Sequence, residues 1–116
     1  MIVADITPYI SPSTANIGSF LAKMDSIDMT KLDPSLHKAR KEVDSILCEL
    51  PVLKNDVHQR QFLLSRLATK DSQIAWNFNL KTIINHMNDI MSFPEFDTQF
   101  KNPTLFLGGE LSNYIT

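Results

Sequence analysis

Two short apolar runs lie near the two ends of the chain, and a long stretch with helical periodicity separates them. The first run, residues 2–6, is nearly continuous and rich in β-branched residues, and Thr7-Pro8 closes it. The second run, residues 104–107, is followed by two glycines. Apolar runs of this length, bounded by turn residues, are typical of strands covered on both faces inside a parallel sheet. The pattern therefore predicts one strand at 2–6 and another at 104–107.

Between the two runs, apolar residues recur at helical spacing in four segments, which predicts four amphipathic helices. Their inward-facing positions are, in chain order, Ile17, Phe20, Leu21 and Met24; Leu36, Ala39, Val43, Ile46, Leu47 and Leu50; Phe62, Leu63, Leu64 and Leu67; and Leu80, Ile83, Ile84, Met87, Ile90 and Met91. Asp33-Pro34 supplies a cap and a first-turn proline for the second helix, and Pro51 ends it. The polar segment "TKDSQ" (69–73) breaks the third helix, and Asn79 is placed to cap the fourth.

The order is thus a strand, a helical insertion at about residues 9–95 and a second strand. Two strands are too few for a stable sheet, and each would expose an unpaired edge. A helical insertion between two buried strands is an arrangement that enzymes use as a lid over a site at the strand ends. We therefore expect an α/β fold that is mostly helical within these 116 residues, and an internal fragment of a single larger domain.

The composition is that of an ordinary globular protein, with 43% hydrophobic residues, 21% charged residues and a formal net charge of −2. This balance gives no reason to expect nucleic acid or an anionic membrane as a partner. The single cysteine, Cys48, forms no internal disulfide and no metal site by itself. No apolar stretch reaches the roughly 18 residues that span a bilayer, and the N-terminus lacks the pattern of a secretory signal. The sequence indicates no metal and no cofactor.

Four motifs occur in one order along nearly the whole chain: "VADITP" (3–8), "RQFLLSRL" (60–67), "WNFNL" (76–80) and "PTLFLGG" (103–109). In order and spacing they resemble the α/β-hydrolase fold family. The closest resemblance is to the group that contains the Williams–Beuren-region mitochondrial hydrolase, bacterial short-chain esterases and the yeast ethanol acetyltransferases. The resemblance implies that the first strand is the sixth strand of the hydrolase sheet, the insertion is the lid with its connections, and the last strand is the seventh.

Enzymes of this family use a serine in a G-x-S-x-G motif, a histidine and an acid that orients the histidine. The chain contains no G-x-S-x-G, since Ser19 follows Gly18 but lacks the preceding strand and the second glycine. The family's late histidine follows the seventh strand, and no histidine of this chain lies there. The resemblance therefore implies that nucleophile, oxyanion hole and base lie outside these residues, in the missing half of a roughly 250-residue domain.

The acid of the triad is expected within this chain. In most α/β-hydrolases it follows the seventh strand, at a place that falls here on Ser112, with Glu110 two residues away. In the resembled group it lies at the end of the sixth strand, which matches Asp5. Some relatives have a second candidate acid directly after the Asn-Leu of the "WNFNL"-like motif. This chain has Lys81 at that position, and a cation cannot serve as the acid. The resemblance favours Asp5 as the catalytic acid, and the alternative is an Asp that only caps the turn after the strand.

Bulky side chains of the insertion are candidates for contact with an acyl chain. Trp76 is the first choice for substrate binding because it lies in the family motif at the end of the lid, and Phe20 is the second. Aromatic residues at helical spacing also fit a structural core. His37 and His58 lie on charged helical stretches and His86 on the fourth helix, and the sequence indicates that none of them is catalytic.

The favoured function is a serine-type hydrolase of acyl esters, such as short-chain esters or acylglycerols, to which this chain contributes the acid while being inactive alone. An alcohol acyltransferase of the same family, in which an alcohol replaces water, is one alternative. A non-catalytic helical interaction module, whose terminal strands pair with a partner, is another. The resemblance implies a mitochondrial location, with a cytoplasmic one as the alternative.

Overall fold

The computed structural model describes residues 1–5 and 15–112. The strands in these ranges are β1 (Ile2–Ala4), β2 (Leu67–Lys70), β3 (Gln73–Trp76) and β4 (Leu105–Leu107). The helices are α1 (Ala15–Asp25), α2 (Leu36–Leu47), α3 (Pro51–Lys54), α4 (Val57–Leu64), α5 (Leu80–Asn85) and α6 (Met87–Met91), with a 3₁₀ turn at Met29–Lys31. Ile6, the Thr7-Pro8 turn and the first part of the predicted insertion, 9–14, lie outside the described residues. The predicted partial α/β fold, mostly helical within this chain, is confirmed.

The helical part of the chain has a hydrophobic core of its own. Its buried side chains come from helices α1 to α5 and from both strands β2 and β3, and they are Phe20, Leu21, Met24, Ala39, Val43, Leu47, Leu53, Leu63, Leu67, Ile74 and Leu80. On α2 the three buried residues recur every fourth position, which places them on one face of the helix. Of the four inward-facing residues predicted for α1, Phe20, Leu21 and Met24 are buried and Ile17 is partly buried.

Polar side chains and a proline set the helix boundaries. Asn79 accepts a hydrogen bond from the Thr82 N–H at 3.1 Å, which confirms the predicted cap of α5. Asp56 caps α4 in the same way, through the N–H of Gln59 at 2.9 Å. Pro51 has a different role from the one predicted, because α2 ends before it and Pro51 starts α3, where a missing N–H costs nothing.

The prediction that the third helix continues to Leu67 is wrong. Helix α4 ends at Leu64, Leu67 begins β2, and the side chain of Phe62 is 57% exposed instead of buried. The segment "TKDSQ" is the turn of an antiparallel hairpin, in which Asp71 and Ser72 have φ angles of 50° and 64°. Positive φ at both central residues gives a two-residue turn whose twist matches that of the flanking strands. The fourth helix is also interrupted, at His86, between α5 and α6.

Strands β1 and β4 pair in parallel across the whole helical insertion. Their register runs from Ile2 opposite Leu105 to Ala4 opposite Leu107. They pack mainly against each other, and their side chains are exposed, with 70% exposure at Ile2 and 63% at Phe106. The chain therefore combines a helical body that has a core with a strand pair whose faces are open.

Candidate active site

The carboxyl ends of β1 and β4 lie side by side, because the two strands are parallel and in register as far as Ala4 and Leu107. The N–H of Asp5 donates to the carbonyl of Leu107 at 2.7 Å and extends the pairing by one residue beyond β1. The first residues after the two strands therefore meet at one edge. In α/β sheets this edge is where functional groups are held.

Asp5 stands at this edge in a left-handed backbone conformation, with φ of 52°. Asp adopts this region more readily than most non-glycine residues. Its side chain is exposed, and Oδ1 accepts a hydrogen bond from the N–H of Gly109 at 3.4 Å, near the long limit for such a bond. This bond crosses from the end of β1 to the loop after β4, so it ties the carboxylate to the neighbouring strand.

The loop after β4 places Ser112, the alternative position for the acid, at the same edge of the strand pair as Asp5. The N–H of Ser112 donates to the carbonyl of Gly109 at 3.0 Å, which folds the chain back after the strand. A Cβ added at Gly109 would stand 3.8 Å from Asp5 Oδ1 and 3.6 Å from Ser112 Cβ. Asp5 and Ser112, the two positions at which the family resemblance would place an acid, thus both lie next to Gly109. Glu110 is exposed in the same loop.

The two candidate substrate-binding residues belong to the helical body. Phe20 is 8% exposed and is part of its core, whereas Trp76 is half-buried at the end of β3 and packs against that core. The Trp76 ring lies 6.2 Å from the ring of Phe78, measured between centroids, at an angle of 54°. Within residues 1–5 and 15–112, no hydrogen bond or ring contact joins either residue to Asp5. The acid and the aromatic candidates therefore lie on different parts of the chain.

The other side chains considered from the sequence lie on helices. His37 and His58 are exposed on α2 and α4. His86 is exposed at the junction of α5 and α6, where its Nδ1 lies 3.2 Å from Asp89 Oδ2. Ser19 is exposed on α1, and its hydroxyl donates to a carbonyl of the same helix at 2.7 Å. None of these geometries is that of an activated nucleophile or its base.

The described residues contain neither a cluster of metal-binding side chains nor a helix able to span a membrane. Across 1–5 and 15–112, no group of three or more His, Cys, Asp or Glu side chains is arranged to hold a metal ion. None of the helices in those ranges combines the length and the apolar character needed to cross a bilayer.

Gly109 is a site residue that the sequence analysis missed. The signal was nonetheless present, since two glycines follow the second apolar run and Asp5 follows the first. If the runs are parallel neighbours in one sheet, the loop after one strand must lie beside the residue after the other. The backbone N–H of that loop is then the nearest donor for the carboxylate.

Comparison with known proteins gives relatives that include a lipase from several vertebrates. The chain is 35% identical over 116 residues to the sn-1-specific diacylglycerol lipase ABHD11 of Danio rerio, a match that covers 100% of the chain and 35% of that protein. It is 33% identical over 115 residues to the protein of the same name from Mus musculus, covering 99% of the chain and 36% of the relative. The chain thus spans about a third of the length of these curated relatives.

A solved structure gives the same result at the level of the fold. A marine microorganism esterase superimposes with a TM-score of 0.74 at 36% identity, covering 99% of this chain and 43% of that one. No family model matches the sequence. The relatives, the structural neighbour and the parallel pairing of β1 with β4 around a helical insertion agree. The chain resembles these α/β-hydrolases in sequence and carries a part of their fold.

Proposed function

We propose that this chain is part of a serine-type hydrolase of acyl esters, and that Asp5 is the acid of its Ser-His-Asp triad. The observation that carries the proposal is the position of the Asp5 carboxylate at the joined ends of β1 and β4, tied to the Gly109 N–H. The names of the relatives, a diacylglycerol lipase and an esterase, support an ester as substrate.

In this proposal Asp5 acts on a histidine that other parts of the protein supply. The carboxylate accepts the Nδ1–H of the imidazole, holds the ring in the tautomer that takes the serine proton, and stabilises the imidazolium that forms. The serine attacks the ester carbonyl and releases the alcohol, and water then frees the acid from the acyl-enzyme. The exposed side chain of Asp5 leaves room for an imidazole at this edge.

The exposed strand pair supports a second part of the proposal, which is that the rest of an α/β-hydrolase domain adds strands at the edges of β1 and β4 and helices over their faces. Apolar strands with open faces are costly in water, since burying such side chains is worth about 25 cal/mol per Å². The helical body then stands over the strand ends as the lid. Because this helical body has its own core, its helices pack together without contacts from the sheet.

Trp76 is the proposed contact for the acyl chain. It is half-buried, next to Phe78, and thus offers apolar surface without being enclosed in the core. Phe20 remains the second contact in this proposal, with less surface to offer because only 8% of it is exposed.

The Trp76→Ala variant of the complete protein tests this contact. We expect KM for a long-chain ester to rise about tenfold, since a lost aromatic contact costs on the order of 1 to 3 kcal/mol, while KM for an acetate ester changes little. Phe62→Ala is the matched control, because Phe62 is an exposed aromatic residue on α4. Equal changes for the short and the long ester would rule out Trp76 as the acyl contact.

Product analysis tests the reaction itself. The complete protein is incubated with an acyl ester in water that contains ethanol. The hydrolase proposal predicts free acid as the main product, whereas excess ethyl ester would show an acyltransferase. If neither product forms, the proposal is wrong and the interaction module takes its place.

The 116-residue chain alone is expected to form neither product and to leave a fluorophosphonate probe unreacted, because the proposal places the serine outside it.

The proposal includes a mitochondrial location, which follows from the family resemblance. Imaging of the complete protein with a C-terminal fluorescent tag checks it. Co-localisation with a mitochondrial dye is the expected result, and a diffuse cytoplasmic signal would contradict it.

A further inference from the structure

An open groove of about 230 Å³ lies between α2 and α4, outside the candidate active site. Its charged side chains are Arg40, Lys41 and Asp44 on α2 and Arg60 on α4, and its apolar side chains are Val57 and Leu64 on α4. The groove contains three permanent cations and one carboxylate. Its local charge is therefore opposite in sign to the net charge of the chain, which is −2.

Arg60 is a structural cation of this groove. Its side chain is buried, its Nε lies 2.8 Å from Asp44 Oδ1, and its Nη1 donates to the carbonyls of Leu53 and Lys54, both at 2.7 Å. The Asp44 carboxylate raises the pKa of the Arg60 guanidinium above its ordinary value. Asp44 and Arg60 thus neutralise each other's charge, and the bonds of Arg60 connect α2, α3 and α4.

Arg40 and Lys41 differ from Arg60 because they are exposed and without a carboxylate partner. In the described part of the chain, no acidic side chain lies within ion-pair distance of either, and Arg40 makes one long bond of 3.4 Å to the carbonyl of Leu67. Lys38, on the same helix, is paired with Asp33 at 3.4 Å. Arg40 and Lys41 are therefore two adjacent cations on one turn of α2, and both line the groove.

The groove also presents apolar surface beside these cations. Val57, at the start of α4, is 48% exposed, and Leu64, at the end of the same helix, is half-buried and also lines the groove. A soluble anion gains nothing from such apolar surface. A bilayer surface gains from both features, because cations bind lipid phosphates and apolar side chains enter the boundary with the acyl chains.

We propose that the α2–α4 groove docks on an anionic membrane surface, with Arg40 and Lys41 binding phospholipid phosphates and Val57 entering the acyl boundary. The proposal does not depend on the proposed function, since it involves no residue of the triad and its readout needs no catalysis.

Co-sedimentation of the purified protein with vesicles tests the proposal. One set of vesicles contains phosphatidylcholine alone, and the other an equal mixture of phosphatidylcholine and phosphatidylglycerol. We expect binding to the mixed vesicles only. The Arg40→Gln/Lys41→Gln variant should partition roughly 30-fold less, about fivefold for each lost charge. Val57→Ser should weaken binding without changing the charge.

The control is Lys81→Gln/Lys101→Gln, which removes the same charge from exposed positions that do not line the groove. Its binding should stay within about twofold of the parent protein, and circular dichroism checks that all variants fold. Equal losses in both double variants, or full binding by Arg40→Gln/Lys41→Gln, would overturn the proposal. Competition with inorganic phosphate is a further check. If phosphate abolishes vesicle binding and chloride of the same ionic strength does not, the groove is a site for a soluble anion and the proposal is overturned.

Discussion

At the residue scale, three non-glycine residues of the described chain have a positive φ: Asp5, Asp71 and Ser72. Two are aspartates, which tolerate the left-handed region because their short side chains bond locally. Ser72 has no such advantage, and its φ of 64° is required by the two-residue turn between β2 and β3. The conformation of Asp5 has a different consequence, because it places a carboxylate at the strand ends. Strain at Asp5 therefore coincides with the candidate site, whereas strain at Ser72 serves only the turn.

The variant Ser72→Gly should stabilise the protein by up to about 1 kcal/mol, because glycine adopts a positive φ without steric cost. Urea unfolding followed by circular dichroism measures the change. Ser45→Gly is the matched control, since Ser45 lies inside α2, where glycine costs about 1 kcal/mol. A loss of stability in both variants would show that the turn carries no strain at Ser72.

At the element scale, the two strand pairs differ in how they are supported. The β2–β3 hairpin packs on α2 and on the 3₁₀ turn, and it buries Leu67 and Ile74 in the core. Within residues 1–5 and 15–112, the β1–β4 pair packs mainly against itself, and its side chains are exposed except for the half-buried Val3. Local opening costs little free energy where few apolar contacts must be broken.

Amide hydrogen exchange on the 116-residue chain should reveal this difference. The N–H groups of Asp5 and Leu105, bonded to the carbonyls of Leu107 and Met1, should exchange several orders of magnitude faster than the N–H of Asn77, bonded to that of Arg66. In the complete protein, the first two amides should become protected. Equal protection of these three amides in the isolated chain would mean that the strand pair is stable without contacts from the rest of the proposed domain.

Sequence patterns predicted the elements of this chain unevenly, for reasons that particular residues show. The predicted core positions of α1 recur over one helical face, and three of the four are buried, with Ile17 partly buried. Leu67 follows Leu63 and Leu64 at helical spacing, yet it lies in a strand, because an apolar run this short does not distinguish the two structures. The turn residues Asp71-Ser72 are also a much weaker hairpin signal than Asn-Gly.

The candidate site was predictable only in part. That Asp5 follows a strand is a local feature, and the sequence shows it. That this strand pairs with β4 is a contact across the whole insertion, which no local periodicity determines, and it came from the family resemblance. The groove on α2 and α4 was missed because net charge averages over the chain, whereas Arg40 and Lys41 act locally.

At the scale of the whole molecule, the chain is elongated. Its radius of gyration is 17.8 Å and its extents are 55 × 27 × 20 Å, whereas a compact domain of this length has a radius of about 13 Å. Exposed apolar residues occur beyond the strand pair as well, among them Phe93 and Phe96, whose rings meet edge to face at 5.9 Å. Such a surface is expected for part of a larger α/β domain.

Because the helical body has a hydrophobic core of its own, we expect it to melt cooperatively without the rest of such a domain. A sharp thermal transition of the isolated chain would therefore not distinguish an interaction module from part of an enzyme. The question has to be decided by activity, and specifically by the residue on which the proposed activity depends.

The most direct test is the rate of ester hydrolysis by Asp5→Asn in the complete protein. The amide keeps the size of the side chain but cannot stabilise the imidazolium, so kcat should fall by about 10⁴ with the melting temperature nearly unchanged. Glu110→Gln, in the loop beside Asp5, is the control and should retain full activity. A fully active Asp5→Asn variant, together with an inactive Glu110→Gln variant, would contradict the account and assign the triad acid to Glu110.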